Sequence, residues 1–285
     1  MCLQGSTHVP IVIIELTTIY KLLCLVFPLV LLAGIEVSIS QLKSRSSIVW
    51  RIVFICANLI VSSNNKEKIV GYAKLKTRQR NERDAYSEGF GLRVHRALSW
   101  LHRAEQCADE DGRFIFLWIS FNSAYSQQFY DEEKTPAQKV FVQFLEKIAL
   151  LDRDRVLARL VWEEYSGSIR LLLDNRFVFK AYWDYQNGAI DKAAWENKFK
   201  AAKIRANLAL KKQDTVGVIS ILLARMYTLR NQLVHGGATW NSNVNRQQLK
   251  DATAFLGKLV PFIIELMLDN PKAIWGDAVY PPIRD

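Results

Sequence analysis

The chain has 285 residues, half of them hydrophobic and 23% charged. That is too apolar for a disordered chain, 13 Gly and 7 Pro exclude collagen-like and low-complexity classes, and four Cys make no disulfide framework, which points to a reducing compartment or to indifference to redox. The net charge of +10 is concentrated at one end: residues 1–80 hold 10 Lys+Arg against 3 Asp+Glu, whereas residues 81–285 hold 28 against 25, so bulk charge argues for no polyanion partner of the larger part.

The composition shifts near residue 80. Leu16–Ile35 is a twenty-residue stretch with Lys21 as its one cation, close to the ~20 residues that cross a bilayer core. The Lys43, Arg45 and Arg51 that follow would keep the C-terminal bulk in the cytoplasm. A cleaved signal peptide fits poorly, because residues 1–10 contain no Lys or Arg. Three readings of residues 1–80 stand open: a membrane anchor through residues 16–35, a buried helical extension, or an over-extended start with no function of its own. Ser62–Arg80, with six Lys and Arg, reads as a solvated basic linker that could touch anionic lipid.

From about Asn81 onward the apolar residues recur with the 3.6-residue helical period. Glu88–Ala108 is a predicted helix with Leu92, Leu98 and Leu101 on or near one stripe, and Asp111-Gly112 is expected to break the chain after it. Phe114–Tyr130 is apolar on nearly all sides, the mark of a central helix, with Asn122 expected as a satisfied buried amide. Thr135-Pro136 looks like the start of a helix through Phe141, Phe144 and Ile148. Asp152–Trp162 and Ser166–Phe179 keep the period, and Asn187-Gly188 signals a turn. Ala189–Leu210 reads as a polar helix whose Lys198, Lys200, Lys203, Arg205, Lys211 and Lys212 form either a solvated face or a phosphate-facing one. Asp214 is a plausible N-cap for the helix through Ile219, Leu222, Leu223, Met226, Leu229 and Leu233, which Gly236-Gly237 should end. A last helix covers Gln247–Leu268. Residues 81–285 are therefore expected to form an all-α bundle of about six to eight helices, large enough to bury a sizeable core.

The most informative stretch is Leu229-Arg230-Asn231-Gln232-Leu233-Val234-His235-Gly236-Gly237. It places a fixed cation, a small amide and a titratable imidazole at one helix end. Asn231 and His235 share a face, being four apart. Arg230 and His235 diverge by about 140° on an ideal helix. They converge only if the last turn unwinds or a second chain supplies the complement. An imidazole moves protons at neutral pH, and a guanidinium grips a phosphate with two parallel hydrogen bonds. Together they suit metal-free transesterification of RNA, with the RNA's own 2′-OH as nucleophile. Spacing alone favours a capped, solvent-facing helix terminus in which the His assists the last carbonyls.

An Arg, a polar residue, three more positions and a His on the penultimate long helix of an all-α domain resembles the motif of the HEPN superfamily, the higher eukaryotes and prokaryotes nucleotide-binding domain. The surrounding Leu-Arg-Asn and His-Gly-Gly are similar to the Apea-like and related bacterial HEPN proteins, as is the aromatic helix Phe114–Asn122. The resemblance covers roughly residues 82–270. It implies Arg230 and His235 as a catalytic pair with Asn231 in support, and an endoribonuclease that needs neither cofactor nor metal. It further implies a homodimer lining one cleft, RNA as substrate, and a toxin or phage-defence role with an antitoxin or activator protein. Some members of the superfamily keep the fold and only bind RNA or nucleotides. The stretch Asp152–Leu210 is longer than a minimal bundle of this kind needs.

The remaining candidates are weaker. His95 and His102 are seven apart and lack the spacing and the further ligands of a metal site. Cys107 sits in no nucleophile motif. Trp162, Trp183 and Trp195 could stack bases or fill the core and its rim.

Overall fold

The computed structural model describes residues 71–125, 137–243, 245–273 and 275. The chain divides into two units, Met1–Glu67 and Lys68–Asp285, and all described residues belong to the second. The apolar segment 16–35 lies outside the described residues. Among those described, no helix is long and apolar enough to cross a membrane.

The described fold is all-α, with ten α-helices and no strand. We number them α1 (Tyr72–Glu82), α2 (Glu88–Glu105), α3 (Glu110–Tyr125), α4 (Ala137–Leu151) and α5 (Val156–Arg159). They continue as α6 (Ser166–Asp174), α7 (Lys180–Gln186), α8 (Lys192–Lys211), α9 (Thr215–Val234) and α10 (Arg246–Asp269). The count exceeds the expected six to eight because residues 152–190 break into short pieces. There α5 runs straight into a π-helical stretch, Leu160–Glu164, and a 3₁₀ turn, Arg176–Val178, separates α6 from α7.

The all-round apolar helix is central, as its sequence requires. Phe114, Leu117, Trp118, Phe121 and Ala124 of α3 are buried. Trp118 packs against Phe121 at 5.7 Å, Phe141 at 6.1 Å and Tyr227 at 6.1 Å between ring centroids, so α3, α4 and α9 meet around one indole. On the other side α3 lies against α2, where the Ser120 hydroxyl donates to the Ala97 carbonyl at 2.7 Å and both residues are small enough for close approach. The second central helix, α10, buries residues on nearly all sides from Leu249 to Leu268. It continues through Pro261, whose missing N–H and ring ordinarily break a helix. Tertiary burial outweighs local propensity there.

Three sequence expectations are corrected. Residues up to Arg80 do not all form a linker: α1 buries Leu75 and Gln79. It is tied to the bundle by the Tyr72 N–H on Glu105 Oε1 at 2.9 Å and by Arg78 on Asp269 at 2.5 Å. Asp111-Gly112 does not break the chain but lies in the first turn of α3, because Asp109 caps it by accepting the Gly112 N–H at 2.8 Å. Asn122 is not a satisfied amide, since its buried Oδ1 has no hydrogen-bond partner among the described residues.

Candidate active site at the C-terminal end of α9

Helix α9 begins where Asp214 accepts the Gly217 N–H at 2.8 Å, the expected cap. Its buried stripe, Val218, Ile219, Leu222, Leu223, Met226 and Leu229, fixes its rotation in the bundle. The motif therefore arrives at the surface in a set orientation. The helix ends at Val234, and His235 is its C-cap, with its backbone N–H on the Asn231 carbonyl at 3.0 Å. Gly236 follows at φ +70°, a left-handed conformation that removes the chain from the helix axis at little cost only for glycine. Its N–H bonds back to the Leu233 carbonyl at 3.3 Å. Gly237 then crosses the helix end so closely that an added Cβ would stand 3.2 Å from the Gln232 carbonyl oxygen. Both glycines of the motif thus have a backbone reason.

The structure brings Arg230 and Asn231 together: Arg230 Nη1 donates to Asn231 Oδ1 at 2.9 Å, and both residues are half-buried. His235 is exposed. The described contacts join it to Asn231 through the backbone alone, and none joins its ring to Arg230. α9 keeps its helical hydrogen bonds to the end, so the last turn does not unwind to bring the two side chains together. One chain therefore presents a held guanidinium and a free-standing imidazole at one helix end, angularly apart.

Residues that sequence reading did not single out fix this end of the molecule. Gln232 donates through Nε2 to the Phe177 carbonyl at 2.7 Å and accepts from Asn245 at 3.4 Å, tying the motif to the turn after α6 and to the entry of α10. The returning loop is anchored on α3: Trp240 Nε1 donates to Asp109 at 3.3 Å, the Asn241 N–H to Asp111 at 3.3 Å and Arg246 to Asp111 at 2.8 Å. Asp109 is held below the usual carboxylate range, first by the Gly112 N–H it accepts. The clue for these was present in Asp109 and Asp111 flanking a helix start, where acidic groups cap and complement the dipole. Nothing local in the sequence pairs them with residues 240–246.

Of the other candidates, Trp183 reaches this end, since it donates to the same Phe177 carbonyl as Gln232. His102 stacks on Tyr72 with centroids 4.0 Å apart, and His95 Nδ1 lies 3.3 Å from Lys76 Nζ. Among the described residues no group of His, Cys, Asp and Glu could hold a metal ion. Cys107 is partly buried, with Arg103 Nη1 at 3.6 Å from its sulfur. Trp162, Trp183 and Trp195 are all partly buried. Trp162 donates to Thr215 at 2.9 Å and Trp183 to the Phe177 carbonyl at 2.7 Å.

No family model matches the chain, and neither a curated protein nor a solved structure matches it.

Proposed function

We propose that the chain is an endoribonuclease of HEPN type that needs no metal and acts as a homodimer, with two α9 ends sharing one cleft. The observation that carries this reading is the Arg230 guanidinium held on Asn231 one turn before an exposed His235 at an open helix end. In the reaction, the imidazole takes the proton of the RNA 2′-OH and, as the imidazolium, delivers it to the leaving 5′-oxygen. The oxygen freed of its proton attacks the adjacent phosphorus, and the P–O5′ bond breaks. Arg230 steadies the charge that builds on the non-bridging oxygens. The products are a 2′,3′-cyclic phosphate and a 5′-hydroxyl, so base, charge and nucleophile come from the chain and the RNA. Because Arg230 and His235 diverge within one chain, the complementary side chain comes from the second copy. A toxin or phage-defence role, a cytoplasmic site of action and an antitoxin or activator protein are parts of the same proposal, and residues 16–35 would add a membrane contact.

A second reading rests on that same divergence: a non-catalytic module of this fold, binding RNA, nucleotide or a protein partner, needs no alignment of the two side chains. Incubating the purified full chain with RNA, beside Arg230→Ala and His235→Ala, separates the two. The nuclease reading expects cleavage with cyclic-phosphate ends, unaffected by EDTA and lost in both variants while folding persists. Equal activity in both variants refutes it, and RNA binding without product selects the second reading.

A further inference from the structure

Five residues before Arg230, helix α9 carries a second arginine inside its apolar stripe. Arg225 is 3% exposed. Its Nη2 donates to the Leu173 carbonyl at 3.3 Å, whereas its Nε is closed off from solvent and has no acceptor. Its guanidinium carbon lies 4.3 Å from the centre of the Phe179 ring and 5.7 Å from that of Phe199. Among the described residues no carboxylate comes within ion-pair distance of it. Asp174, the acidic group that favours its charge, is itself paired with Lys203.

A second cation makes the imbalance larger. Arg205 of α8 is exposed, has no ion-pair partner among the described residues and disfavours the charge on Arg225. Burial first, and Arg205 next, push the Arg225 guanidinium down to about 10. The two arginines line one cavity of about 130 Å³, together with Lys180, Ala202, Thr228 and the Phe179 ring. Lys180 is occupied by Asp184 at 2.7 Å. That volume holds several water molecules and so admits a tetrahedral oxyanion, and the cavity is partly open to solvent.

A buried charge is ordinarily paired, because burial without a partner costs more than hydrogen bonds to neutral groups return. A cavity beside two unpaired guanidinium groups supplies room for the missing charge. The geometry points to a phosphate-sized oxyanion site in this cavity, with Arg225 as its buried floor and Arg205 as its outer, exposed cation. The shared chemistry of free phosphate and of a terminal phosphoryl group fits it equally, with the rest of a phosphomonoester left outside past Arg205. The site is separate from the Arg230 and His235 pair and stands whether or not that pair cleaves RNA.

Calorimetric titration of the full chain with inorganic phosphate, at constant ionic strength set by chloride, tests it. The expected result is saturable binding that weakens about tenfold in Arg205→Ala, the loss of one charge-assisted contact, and disappears in Arg225→Met. Methionine keeps the volume and apolar surface of the stripe. Should that variant not fold, Arg205→Ala decides alone, since its side chain is exposed. Absence of saturable binding, or equal binding in Arg205→Ala, overturns the proposal. Adenosine 5′-monophosphate identifies the source: competition with phosphate, lost in Arg205→Ala, marks a phosphoryl terminus, and no competition marks the free ion. Its binding with full affinity to both variants overturns the site.

Discussion

Arg246 Nη1 donates to Asp111 Oδ2 at 2.8 Å, with the two side chains 19% and 10% exposed. The pair joins the entry of α10 to the first turn of α3, and the loop that leaves the His235 end closes between them. The same carboxylate accepts the Asn241 N–H, so its loss leaves a largely buried guanidinium and a backbone donor without their acceptor. Asp111→Ala should therefore lower stability by about 2 kcal/mol, below the range for a fully buried pair because some solvent reaches this one. Urea denaturation measures it, and faster amide exchange over residues 236–245 should accompany the loss.

Asn231 acts on Arg230, and its role is to position. Removing its amide in Asn231→Ala frees the guanidinium to sample other rotamers. If Arg230 steadies the transition state, cleavage should fall by about ten- to a hundredfold through kcat, with little change in KM. Asn231→Asp keeps an acceptor at the same place and should recover most of the rate. Equal rates in all three proteins would show that the 2.9 Å contact has no catalytic consequence.

Gly236 stands at φ +70°, where a Cβ meets the neighbouring carbonyl oxygen. Gly236→Ala should cost about 1 kcal/mol and Gly236→Asn less, since asparagine tolerates this region better. No heavy atom outside its chain neighbours lies within 4 Å of an added Cβ, so the cost is one of backbone conformation alone. Thermal denaturation of the two variants in parallel separates that cost from any loss of activity.

How far the fold was readable from the chain depends on the range of the deciding interaction. Asp214 and Gly236 act within four residues of themselves, and both ends of α9 lie where their types place them. The period of the apolar residues likewise placed α3 at the centre. Asp111-Gly112 misled because the deciding contact is the Asp109 cap, which turns a pair of breaker residues into a helix start. The boundary near residue 80 was obscured because α1 is mostly polar, and it joins the bundle through Leu75 and two distant carboxylates. Arg225 carried a legible signal: a charged residue at positions i+3 from Leu222 and i−4 from Leu229 lies within the stripe that must face inward. The divergence of Arg230 and His235 followed from helical phase, and α9 keeps that phase to its last turn.

The His95 ring is held below the ordinary histidine range, first by burial and then by the nearby Lys76 and Arg96. The folded state thus disfavours protonation relative to the unfolded chain. That contribution is fully present above the unfolded value of about 6.5 and is lost as pH falls through the lower folded value. Stability should decline as pH falls below about 6.5, and His95→Gln should flatten the upper part of that decline. The lowered carboxyls of Glu82 and Asp109 act at still lower pH and should persist in the variant. Denaturant midpoints of both proteins across this range provide the check.

Gly217 offers a test in which two local rules oppose each other. It lies in the first turn of α9, and glycine in a helix costs roughly 1 kcal/mol relative to alanine. An added Cβ, however, would fall 2.2 Å from Asp214 Oδ2, the carboxylate that caps the same turn. Gly217→Ala must displace that carboxylate and forfeit a cap worth about 1 kcal/mol, so it should leave stability nearly unchanged. Asp214→Ala alone should cost about 1 kcal/mol. In the Asp214→Ala background the cap is already gone, and Gly217→Ala should then recover close to the full helix-propensity gain of about 1 kcal/mol. The double-mutant cycle would show a favourable coupling of about 1 kcal/mol between residues three apart. A coupling near zero would mean that the Asp214 carboxylate rotates aside and keeps its hydrogen bond to the residue 217 N–H.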